Sequence, residues 1–315
     1  MTHEIFITAG TSLIENYYRA NVNENQNLRN RLAQIYGFDV FLGITPTIPA
    51  NDVNTISCGN DISQFIGSSF KYWTSQQNPN ISSEYQTLIT VLATKNIDLN
   101  NYDLTDLVIF STATVPGVYC AIVLAHLIGH AKYRNQPGGL NYWVEVEYNQ
   151  QGAQTNMRFN WGATPQGNNP EKILVKVINA IDPSQVDFEQ DGIQNLVRSI
   201  TTEVLHNWTR KEPEARICPM TMIFSGGFKA NIPVVTLTMM WIKHHFIQKS
   251  ISMAAMFINA QLIEIPILPS YPDEATIMAV GNDPRDYPDI RVNGQLTSIG
   301  NALKAFVDAI ALLHP

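Results

Sequence analysis

The chain has 315 residues, of which 45% are hydrophobic and 15% charged, and its formal net charge is −7. Length and composition fit an ordered globular protein that can bury a sizeable core. The acidic balance excludes broad nucleic-acid coating, which needs a basic face, so no DNA partner is expected; a small anion, held by a few backbone amides and one Lys, stays within reach.

The cysteines are Cys58, Cys120 and Cys218. An odd count at wide spacing points to neither a disulfide framework nor a zinc knuckle. The first ten residues carry no basic segment followed by an apolar stretch, and no segment reaches the roughly 18 apolar residues of a membrane span. The expectation is a cytoplasmic protein with no membrane partner.

In chain order, residues 4–9 form a short apolar run that ends in Gly10-Thr11-Ser12. This reads as a buried strand turning into a helix. Residues 13–36 have a mostly helical pattern, and 40–57 give no clear assignment. Residues 81–95 read as a helix with Leu88, Val91 and Leu92 inward. Residues 106–111 (DLVIFS) are a second buried strand, and 116–132 a helix with Pro116 in its first turn, where the missing N–H costs nothing. Residues 143–161 alternate around a Gln150-Gln151-Gly152 turn, a hairpin signature. Residues 172–180 are a strand. Residues 188–208 are an amphipathic helix, with Ile193, Leu196, Val197, Ile200, Val204 and Leu205 on one face. Residues 220–224 are a strand, 228–246 a helix, and 253–258 and 262–265 two short closing strands.

Alternating strands and helices predict an α/β fold with a mostly parallel sheet and helices on both faces. A β-hairpin insertion and a short C-terminal helical tail complete it. Two regions are expected: a main domain at 1–269 and a tail at 270–315. The tail is proline-rich and loop-like at first, then helical over 299–313. It is too short for a catalytic domain and reads as a cap or a dimer contact.

Ligands of open α/β sheets sit beyond the carboxyl ends of the strands. Two strand-to-helix turns have the composition to hold phosphate there. In Thr8-Ala9-Gly10-Thr11-Ser12, hydroxyls and amides meet a helix N-terminus, whose partial positive charge favours an anion. In Ser225-Gly226-Gly227-Phe228-Lys229, paired glycines permit a close backbone approach. Lys229 stands at a helix start, where a cation is unfavourable unless an anion is bound. Alone, a Gly-Thr-Ser turn after a strand is more often a helix cap than a site, and Gly226-Gly227 is also an ordinary tight turn. Neither matches a P-loop or a dinucleotide fingerprint. His126 and His130 have helical metal-pair spacing, but no Glu follows His126, and they read as buried structural histidines. His244 and His245 are adjacent and point apart, so no metal is expected. Ser12 has no obvious His or Asp partner. Trp143, Trp161, Trp208 and Trp241 read as core rather than as a stacking platform.

Residues 5–13 (IFITAGTSL) and 222–237 (MIFSGGFKANIPVVTL) together resemble the CARF domains of CRISPR-associated proteins. Residues 110–128 (FSTATVPGVYCAIVLAHLI) and 260–269 (AQLIEIPILP) agree with the same family in the same order. The resemblance implies a Rossmann-like fold, a two-fold homodimer, and a ring of cyclic tetra-adenylate or cyclic hexa-adenylate bound across the dimer axis. These rings are second messengers of type III CRISPR antiviral defence. The R-x(4–6)-H motif of the family's ribonuclease effectors does not occur here, since Arg198 and His206 lie too far apart. A CARF chain without an effector resembles the stand-alone ring nucleases, which cleave the messenger without metal or cofactor. By that resemblance Lys229, Ser12 and Thr11 are the catalytic candidates. The ligand-binding candidates are Ala9, Gly10, Thr11, Ser12, Thr112, Ala113, Thr114, Ser225, Gly226, Gly227, Phe228 and Lys229. A non-catalytic sensor of the ring, and an unrelated nucleotide-binding α/β protein, are the competing expectations.

Overall fold

A computed structural model describes residues 3–13, 16, 82–133, 140–150, 153–159, 169–181, 187–210, 218–224, 231–246, 248–256, 261–269, 291–292 and 295–311. Five short apolar runs become the parallel centre of one sheet. They are β1 (Glu4–Thr8), β2 (Leu107–Thr112), β5 (Glu171–Ile178), β6 (Met220–Ile223) and β7 (Ile251–Met256). Near-continuous Val, Ile and Leu in such runs reflects burial on both sides. In β2, Leu107 and Ile109 enter one core while Val108 and Phe110 enter the other.

The hairpin expected around Gln150 forms as β3 (Tyr142–Gln150) and β4 (Ala153–Phe159). It is continuous with the main sheet. β3 pairs in parallel with β5, so only β4 is added at the edge, antiparallel. At the other edge β8 (Leu262–Pro266) runs antiparallel to β7. The eight-stranded order is β4-β3-β5-β2-β1-β6-β7-β8.

Helices cover both faces and give a Rossmann-like α/β fold. On the first face α1 (Ser83–Thr94) and α2 (Val115–Tyr133) pack against Ile5, Ile7, Ile109, Val144 and Val175. On the second, α3 (Ile193–Arg210) and α4 (Ile232–His245) pack against Phe6, Phe110, Leu174 and Met222. The six apolar positions expected on one face of α3 are all buried there. α2 is long and apolar enough to cross a membrane, but 78% of its apolar window is buried inside the fold, as in a core helix.

Two local readings change. The helix expected from residue 188 opens with a wide π-type turn, Phe188–Gly192, and the α-helix starts at Ile193. Residues 291–296, expected as loop, contain a small antiparallel ladder, β9 (Arg291–Val292) with β10 (Gln295–Leu296). The last helix, α5 (Ser298–Ala311), lays Ala302, Leu303, Ala305 and Phe306 into the second-face core against α3 and α4. The helix expected at 13–36 and the stretch 40–57 lie largely outside the described residues.

Candidate functional site

Strand order places a topological switch point at β1 and β6. From β1 the chain passes to β2 on one side, whereas β6 joins β1 from the other side after crossing the second face. Leu13, just after β1, enters the first-face core, while α4, after β6, covers the second. Chain segments thus leave neighbouring strand ends in opposite directions, the geometry that opens ligand crevices in α/β sheets.

Backbone bonds lock the strand ends together. Ala9 N–H donates to Phe110 O (2.8 Å) and Ala113 N–H to Ile178 O (3.0 Å). Thr8 Oγ1 donates to Ile223 O (3.3 Å), tying β1 to β6. The turns Ala9–Ser12 and Thr112–Thr114 therefore stand side by side at the carboxyl edge. Thr11, Ser12, Thr112, Ala113 and Thr114 are half-buried, whereas Ala9 and Gly10 are buried. Ser225, Gly226, Gly227, Phe228 and Lys229 lie outside the described residues, as does Trp161. The strand that leads to them, β6, ends beside β1.

The turn after β2 is built around one glycine. Thr114 Oγ1 accepts from Gly117 N–H (3.2 Å), capping α2, and lies 2.8 Å from Thr112 Oγ1. A β-carbon on Gly117 would stand 2.2 Å from Thr112 Oγ1 and 3.1 Å from the Thr112 carbonyl oxygen. Overpacking of this kind costs about 1–3 kcal/mol, so Gly117→Ala should lower the unfolding free energy by that amount, seen as a lower urea midpoint, and displace the Thr112 hydroxyl. An unchanged midpoint would show that the turn yields without strain.

The first turn is held by a residue that sequence reading did not single out. Glu84, in the first turn of α1, is only 1% exposed. Its Oε1 accepts from Gly10 N–H (2.9 Å), and its Oε2 accepts from Ser12 Oγ (2.5 Å) and Ser83 Oγ (3.1 Å). Ser12 thus has an acidic partner after all, a Glu in place of the His or Asp that the sequence failed to offer. The Gly10 amide, which sequence reading aimed at a phosphate, is donated within the protein. In the sequence Glu84 follows Ser82 and Ser83, and Ser82 caps α1 by accepting from Tyr85 N–H (3.0 Å). An acidic residue in a first helical turn is ordinary, so no local signal marked it.

Residues 9–13 and 112–117 carry no charged side chain of their own. What they offer is hydroxyls at two turns that lead into helices, while the Ala9, Gly10, Ala113 and Gly117 amides are bonded within the protein. Among the described residues no three His, Cys, Asp or Glu side chains gather as a metal site would need. His126 is buried, its Nδ1 3.3 Å from Tyr142 Oη, and burial pushes its pKa down to about 3. Trp241 is core, as expected, while Trp143 is half-buried. Compared with protein-family models and with curated proteins, the sequence matches none.

Proposed function

We propose that this protein binds a cyclic oligoadenylate, cyclic tetra-adenylate or cyclic hexa-adenylate, and cleaves it as a metal-independent ring nuclease of the CARF type. The observation that carries this reading is the side-by-side placement of Ala9–Ser12 and Thr112–Thr114 at the carboxyl edge, next to the β1/β6 switch point. These are two of the segments on which the CARF resemblance rests, and a third follows β6.

In this reading the protein works as a cytoplasmic homodimer. A ribose 2′-hydroxyl attacks the adjacent phosphorus in line. The product is linear and ends in a 2′,3′-cyclic phosphate. The protein's part is to fix the ribose geometry and to stabilise charge on the phosphorane. Thr11, Ser12, Thr112 and Thr114 supply hydroxyls, and Lys229 supplies the cation that the described part of the edge lacks.

The test is incubation with each ring in EDTA, read by mass spectrometry. The expected product is linear with a cyclic phosphate. Lys229→Ala should lose about 3 kcal/mol of transition-state stabilisation, on the scale of removing one oxyanion donor. Intact ring that co-elutes with the protein would make it a sensor acting on a separate partner. No binding to either ring would leave an unrelated nucleotide-binding α/β protein.

A further inference from the structure

Glu84 is a carboxylate buried directly behind the hydroxyl that would face the ring. Because Ser12 donates its proton to Glu84 Oε2, the Ser12 oxygen keeps its lone pairs for another donor. The turn is half-open at Ser12 and closed at Glu84, so a ligand hydroxyl would reach the serine and not the acid. The second carboxylate oxygen is fixed by Gly10 N–H, which prevents the acid from swinging away.

The geometry points to Glu84 as a positioning residue that receives, through Ser12, the proton of the attacking 2′-hydroxyl. This rests on the ring-nuclease reading above. The 2′-hydroxyl passes its proton to Ser12 Oγ as Ser12 passes its own to Glu84. The 2′-oxygen bonds phosphorus, the P–O5′ bond breaks, and the 5′-oxygen leaves with a proton from water. The hydroxide so formed takes the proton back from Glu84 through Ser12, which resets the pair. The relay needs two groups in hydrogen-bond contact before substrate arrives, and that is the arrangement present.

Glu84→Gln separates this role from a structural one. The amide keeps an oxygen for Gly10 N–H but presents N–H to Ser12, and it cannot accept a proton at neutral pH. Single-turnover cleavage should slow about 100- to 10,000-fold, the scale of one general base, with ring affinity unchanged. Ser12→Ala should slow it similarly, and the double variant should be no slower than Ser12→Ala, since both changes cut one path. Melting curves on each variant guard against a folding defect, and Ser12→Ala keeps the test alive if Glu84→Gln unfolds. Wild-type cleavage rates in Glu84→Gln, loss of affinity in step with rate, or additive losses in the double variant would overturn the relay while leaving the ring nuclease standing. A wild-type protein that returns the ring intact would overturn both.

Discussion

Lys249→Met is expected to destabilise the fold by about 3–5 kcal/mol, the scale of a buried ion pair that loses one partner. Lys249 Nζ lies 2.9 Å from Glu4 Oε2, and their side chains are 2% and 1% exposed. With Lys249 gone, Glu4 would stay charged at the start of the central strand, away from water, or would have to take up a proton to remain there. Either outcome costs free energy that the native pair avoids. Urea unfolding followed by circular dichroism measures it, and an unchanged midpoint would refute it. Glu4→Leu combined with Lys249→Met should recover most of the loss, because apolar replacement of both partners is often neutral. Glu4 opens β1, and Ala9–Ser12 follow its other end, so the proposed ring binding should survive in the double variant.

That pair also shows which parts of the fold were legible and which were not. Runs such as LVIFST in β2 and ILV within β5 announce buried parallel strands, because burial on both faces favours apolar residues; Lys176, buried in β5 beside Glu203, is an exception that a distant partner allows. Most helix positions followed from periodicity, and the turn after β1 from glycine and hydroxyl chemistry, whereas the turn at 225–229 lies outside the described residues. Partnerships at long range left no trace in the sequence. Glu4 reads as the polar start of a strand, and Lys249 as part of a loop before β7. Only the folded sheet brings them together. Glu84 is the same case at the site: its bonds to Gly10 and Ser12 span about seventy residues. The opening of α3 was missed for a packing reason. Gly192 lies so close to Ala180 that a β-carbon there would stand 2.0 Å from the Ala180 carbonyl oxygen, and Ala180 itself has φ 58°. Helical periodicity from Phe188 does not report such a contact.

Phe306→Ala is expected to cost about 3–5 kcal/mol, as for other fully buried phenylalanines. Sequence reading gave the tail helix to a cap or a dimer contact. Each role makes a different forecast from the one drawn from its packing. Phe306 is 2% exposed, and its ring centroid lies 5.4 Å from that of Trp241 on α4. Ala302, Leu303 and Ala305 surround it on the same side of α5, in one core with Leu196, Val197 and Ile200 of α3. Truncating the ring would open a cavity between three helices whose positions are fixed by the sheet beneath them, so little collapse is available to fill it. The loss of stability relative to wild type should therefore be the same at low and high protein concentration. A loss that shrinks as concentration rises would assign α5 to contacts between copies. No loss at all would make it a detachable cap. A full, concentration-independent loss would make α5 part of the folding unit, so that the division at residue 269 would separate segments of sequence and not separate cores.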